Sequence, residues 1–121
     1  MTKPLDLPQL LAEHRQRSDL WLEFFRIPAM SLGIYKLAKG GVDPQTPHDE
    51  DELYYVLSGQ GRIQIDGDDH AVEPGALIFV GRKREHRFHD IKADLELLVF
   101  FAPAEGSGAS AAQPGHPSRD R

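Results

Sequence analysis

From Leu20 onward, apolar residues fall in short stretches rich in aromatic and β-branched side chains, broken by Gly, Pro and Asp. That texture predicts strands and turns. The expected strands are Leu20–Arg26, Ser31–Leu37, Leu53–Leu57, Arg62–Asp66, His70–Val72, Ala76–Val80, His86–His89 and Leu95–Phe101. Asp66-Gly67-Asp68 offers a tight hairpin turn, and Gly40-Gly41, Ser58-Gly59 and Glu73-Pro74-Gly75 mark other turns. Ahead of the strands, Leu7–Arg17 reads as a short helix. Asp6 can cap it, Pro8 suits its first turn, and Leu10 with Leu11 supplies a narrow apolar stripe. Many short strands with turn residues between them predict an all-β sandwich or closed barrel.

Parity along the strands sorts the side chains, because alternate residues face opposite sides. Phe24, Phe79, Phe88, Phe100 and Phe101 are expected in the core, with Val56, Ile63, Ile65, Leu77, Val80, Leu97 and Val99. Tyr54 and Tyr55 must face opposite ways, and Tyr54 is the one expected inside. Trp21 suits either the core or a partner surface. The organisation predicted is a helical segment over 1–19, a barrel over 20–103 and a Gly/Ser/Ala/Pro-rich tail from Ala104. That tail is too poor in apolar bulk to offset the entropy of ordering it.

Composition narrows the function classes. The chain has 121 residues, 40% of them hydrophobic and 27% charged, enough for one modest core. It has no cysteine, which excludes disulfides, thiolate metal sites and a cysteine nucleophile. The N-terminal stretch lacks a signal-peptide core and no run reaches membrane-span length, so a cytoplasmic protein is expected. A net charge of −5 speaks against general nucleic-acid binding, which needs a basic face. Charge is nonetheless uneven: Asp43 and Asp49 to Glu52 form an acidic stretch, Arg82 to Arg87 a basic one. The plain reading of both is a solvated loop.

Two stretches carry chemistry. His48 and Glu52 share parity with Tyr54 and Val56, so one extended segment can aim all four into a barrel. His86, followed at the same parity by Phe88, is the best second histidine. Two imidazoles and a carboxylate make a face suited to one divalent metal ion. His89 would face the other way. His14 and His70 are expected in solvent, Glu50 in an exposed acidic loop, and His116 idle in the tail.

The pattern Gly40-x5-Thr46-x-His48-x3-Glu52-x6-Gly59 resembles the first cupin motif, and Gly75-x5-Gly81-x-Lys83-x2-His86-x3-Asp90 has the spacing of the second. The short gap between Gly59 and Gly75 resembles that of small bacterial single-domain cupins of the RmlC-like superfamily. The resemblance covers roughly residues 30 to 102. It implies a double-stranded β-helix, or jelly-roll barrel, with metal ligands at His48, Glu52 and His86. Where members of the family often carry another histidine, this chain has Thr46, and Gln45 or Thr46 is a candidate to fill that place. The ligand set suits iron, manganese, zinc or nickel alike.

The function expected is a metal-dependent enzyme, dioxygenase- or isomerase-like, acting on a small molecule, with anionic ones among the candidates. Tyr54, Arg84, Arg87 and Phe88 are candidate substrate contacts. The rival reading is a non-catalytic cupin that binds or senses a metabolite, since one fold hosts both. A metal-free epimerase using histidine and Tyr54 is a third, which leaves the placement of Glu52 unexplained. The resemblance also implies a homodimer.

Overall fold

A computed structural model describes residues 3–106. Residues 107–121, with His116 and most of the expected tail, lie outside the described residues. The order of elements is α1 (Leu7–Arg15), β1 (Trp21–Ile27), β2 (Met30–Leu37), β3 (Asp51–Ile65), β4 (Asp68–Val72), β5 (Leu77–Val80) and β6 (His86–Ala102). Among the described residues, no helix is long and apolar enough to cross a membrane.

The helix begins as its sequence dictates. The Asp6 carboxylate accepts from the Gln9 N–H at 3.1 Å, and Pro8 occupies the first turn. It ends two residues earlier than expected, because strands claim its last carbonyls. Lys36 Nζ on β2 donates to the carbonyls of His14 (2.7 Å) and Arg17 (2.5 Å). Arg15 grips Glu96 on β6 through two hydrogen bonds of 2.9 and 2.6 Å.

Six antiparallel strands form one sheet in the order β1-β2-β6-β3-β4, with β5 on the free edge of β3. Its spine is the ribbon of β3 and β6, paired from Asp51↔Ala102 to Ile65↔His86. The sequence suggested two strands and a turn at Ser58-Gly59 in place of β3, and two strands in place of β6. Both run through instead, because the ribbon bends at bulges and not at turns: register shifts cluster between Val56 and Arg62. Gly59 sits there at φ +98°, and a Cβ on it would overlap the Asp94 carbonyl oxygen, so no other residue fits without displacement. At the β3–β4 hairpin the expected Asp66-Gly67 turn is present, both residues at positive φ (48° and 93°).

The inner face buries Tyr35, Tyr54, Val56, Ile63, Val80, Phe88, Leu95, Leu97, Val99 and Phe101, each at 1% exposure or less. Burying each large apolar side chain contributes about 1.5–3 kcal/mol. Trp21 joins this core edge-on to Phe101 at 5.8 Å. Phe24 and Phe100, expected in the core, are half-buried and lie outside it, and two further expected core residues are not there. Leu77 and Phe79 are 67% and 62% exposed, because β5 turns Ile78 and Val80 inward and these two out. Tyr55, paired with Leu77, faces the same way. Past the expected barrel end, Ala104 and Glu105 are buried, so the packed chain reaches further than composition indicated.

His14, expected in solvent, is fully buried. Its Nε2 lies 2.9 Å from the Asp19 carbonyl, and its Nδ1 has no hydrogen-bond partner among the described residues. Burial is the main force holding its pKa below the usual 6.5, and the Asp19 carbonyl opposes it in part. The unfolded chain therefore takes up this proton at higher pH than the folded one. Stability that His14 allows above about pH 6.5 is lost as the pH falls towards its folded value. Replacing it in His14→Gln should flatten the decline in urea midpoint between about pH 7 and pH 5. An unchanged slope would show that His14 does not carry this dependence.

Candidate metal centre

Three elements deliver the expected ligands to one point. His48 ends the loop that leads into β3. Its backbone carbonyl accepts from the Lys83 N–H at 2.5 Å, and its ring packs edge-on to Phe101 at 5.2 Å. Glu52 lies in β3 in a cross-strand row with Phe101 and Val80, which gives its carboxylate apolar walls. His86 opens β6. All three are buried, at 1%, 2% and 7% exposure, and one donor atom from each falls within 4.8 Å of the others.

Glu52 Oε1 and His86 Nε2 are 3.1 Å apart, about the spacing of neighbouring ligands that each stand roughly 2.1 Å from a shared ion. The other His86 nitrogen, Nδ1, lies 2.9 Å from the Arg84 carbonyl, which can only accept. In a neutral ring the proton is therefore on Nδ1, and the Nε2 lone pair points at Glu52. This is the outer support that metal-binding histidines generally have.

Tyr54 Oη also lies 3.1 Å from His86 Nε2, but it has one proton, and it donates that to Gln45 Oε1 at 3.0 Å. The orientation of Gln45 follows from Asp43, whose carboxylate takes the amide Nε2–H at 2.6 Å. Lone pairs of Glu52, His86 and Tyr54 thus converge in a buried place. Such a convergence is costly unless positive charge sits among them. A divalent ion fits this donor set: His48, Glu52 and His86 would hold it.

Asp43 was not singled out in the sequence, where it belonged to a solvated acidic stretch. It is 1% exposed and accepts from the Tyr35 hydroxyl (2.5 Å), the Gln45 N–H (3.2 Å), the Gln45 side chain and the Phe88 N–H (2.9 Å). It ties the ligand loop to β2 and β6. No periodicity in the sequence marks it, since it lies in a loop.

The other candidates are placed as follows. Gln45 borders the site with its amide engaged, and Thr46 is exposed. Phe88 is core, edge-on to Tyr54 at 5.0 Å. Arg84 is paired with Asp66 at 2.7 Å. Arg87 has no ion pair among the described residues and borders a cavity of about 380 Å³ with Gln45, Gln64, Asp66, Glu85 and His86. Of the three ligands, His86 alone lines this cavity. A larger one, about 520 Å³ beside α1, is lined by none of the three ligands. His89 faces outward, 2.6 Å from Asp69, and His70 is exposed, both as expected. Glu50 is not an exposed loop residue: it is 3% exposed and accepts from the Gly106 N–H at 3.0 Å.

A coiled antiparallel barrel with two histidines and a glutamate gathered inside is the architecture that the motifs implied. The cupin-domain family model matches residues 33–101, and the chain belongs to the cupin family. It is 38% identical over 103 residues to the uncharacterized protein SCO3923 of Streptomyces coelicolor, covering 85% of this chain and 98% of that one. In structure it is similar to TT1209 from Thermus thermophilus, with a TM-score of 0.68 and 21% identity over 85% of this chain and 99% of that chain. It is also similar to the DMSP lyase DddQ from Ruegeria pomeroyi, with a TM-score of 0.61 and 16% identity over 68% of this chain and 46% of that chain. At these identities the structural matches show the fold alone.

Replacing Asp43 with asparagine turns one acceptor into a donor facing other donors. Asp43→Asn should lower stability by about 2–3 kcal/mol in chemical denaturation. A loss near zero would mean that the loop is held by something else.

Proposed function

We propose that this protein is a metal-dependent cupin that acts on a small polar molecule entering past Arg87. The observation that carries the reading is the buried convergence of His48, Glu52 and His86, with His86 also bordering a mostly polar cavity. A bound divalent ion would supply Lewis-acid polarisation of a substrate oxygen, or redox chemistry of the dioxygenase kind. The chain's own residues bind and orient. Gln64 and Gln45 offer hydrogen bonds at this cavity, and Arg87 offers an uncommitted guanidinium to a carboxylate or phosphate. Arg84, already paired with Asp66, is less suited to that task.

A second reading, binding or sensing without turnover, is favoured by the state of Tyr54. Its hydroxyl lies 3.1 Å from His86 Nε2 and its proton is given to Gln45, so Tyr54 is not a ready proton donor. Metal content of tag-free protein, followed by turnover and thermal-shift panels of small anions with wild type and Arg87→Ala, separates the readings. The enzyme reading expects about one metal per chain, lost in His86→Ala, and turnover that Arg87→Ala weakens roughly tenfold or more. Binding without turnover supports the sensor. Metal retained in His86→Ala sinks both.

The outward row Tyr55, Leu77 and Phe79, flanked by half-buried Leu53, Leu98 and Phe100, is an apolar sheet face. We propose that it pairs with a second copy of the chain, as large exposed apolar patches generally mark interaction sites. Sedimentation should show a dimer in wild type and a monomer in Phe79→Asp. A monomeric wild type refutes it.

A further inference from the structure

Behind His48, on the side of Nδ1, lies a carboxylate from a part of the chain that composition assigned to a loose tail. Glu105 Oε2 is 3.7 Å from His48 Nδ1, and both side chains are 1% exposed. Glu105 does not reach this depth by chance of a flexible end. Main-chain contacts strap residues 104–106 across the barrel. The Ala104 N–H donates to the Pro28 carbonyl (3.2 Å), the Glu105 N–H to Ser31 Oγ (2.9 Å) and the Gly106 N–H to Glu50 (3.0 Å). Arg26 Nη2 donates to the Glu105 carbonyl at 2.7 Å. All four use the backbone, so the strap stays in place whatever the Glu105 side chain is. The side chain itself is directed at the ligand histidine.

We propose that Glu105 is the positioning residue for His48: it receives the proton on Nδ1, and so leaves Nε2 as the nitrogen that binds the ion. The proposal rests on the metal-binding reading above and deepens it. Burying a carboxylate costs several kcal/mol unless charge or hydrogen bonds compensate it. Metal-ligating imidazoles characteristically place their second nitrogen on a carboxylate or carbonyl, which sets the tautomer and makes the other nitrogen a better donor. His86 uses the Arg84 carbonyl in this way; His48 uses Glu105. The separation of 3.7 Å exceeds a hydrogen bond of about 2.9 Å. A cation on Nε2 would make the proton on Nδ1 more acidic and strengthen this contact.

Glu105→Gln keeps the shape and removes the charge; Glu105→Ala removes both and leaves the strap's main-chain anchors. Two readouts decide. In metal-free protein, ¹⁵N spectra of the histidine rings should show His48 protonated on Nδ1 in wild type and shifted towards the Nε2 tautomer in both variants, with His86 unchanged. In equilibrium dialysis with Mn²⁺ and Co²⁺, the variants should bind about 10- to 100-fold more weakly than wild type. An unchanged His48 tautomer with unchanged affinity overturns the proposal and leaves the metal site standing. A wild type that binds neither ion, or binds equally well as His86→Ala, overturns the metal reading instead. The metal-free spectra then still judge Glu105. Should one variant not fold, the other is held to the same two readouts.

Discussion

The β3–β6 ribbon must coil back on itself, and the rest of the molecule depends on that. By register, Glu52 sits opposite Phe101 near one end of the ribbon, while His86 sits opposite Ile65 at the other. A straight ribbon would hold these two residues about 40 Å apart, at roughly 3.3 Å per residue. Their side chains are instead 3.1 Å apart. The bulges between Val56 and Arg62 provide the bend, and Gly59 permits the close approach of the Asp94 carbonyl that the bend requires. Barrel closure and site assembly are therefore one event.

Coiling brings polar groups inside along with apolar ones, and these need partners. Asp43 answers on one side of the site, taking donors from β2, β6 and its own loop, and so sets the orientation of Gln45 and then of Tyr54. The Arg84 carbonyl answers for His86. In each case the atom that remains faces the same centre. A core arranged like this is under electrostatic tension without a cation and relaxed with one, which is the physical ground for reading it as a metal site.

Much of this was legible in the sequence, and for a definite reason. Strand parity and motif spacing are local properties, so His48, Glu52, His86 and the inward Tyr54 could be assigned from them. The Asp66-Gly67 hairpin was legible on the same ground, since its turn type needs those residues. What sequence could not show depended on contacts between distant segments. Gly59 looked like a turn, because a glycine at a bulge and a glycine at a turn read alike. Leu77 and Phe79 looked like core, because apolar character does not say which face of a four-residue strand is covered. Asp43, Glu50 and His14 looked solvated, because their burial is decided by residues far along the chain. Thr46 was offered as a ligand on resemblance alone, and the loop turns it outward.

Anomalous diffraction from crystals loaded with cobalt would locate the ion itself. One strong peak is expected inside the barrel, about 2.0–2.2 Å from a nitrogen of His48, a nitrogen of His86 and an oxygen of Glu52. No internal peak, or cobalt found only on surface carboxylates, would contradict a metal site there.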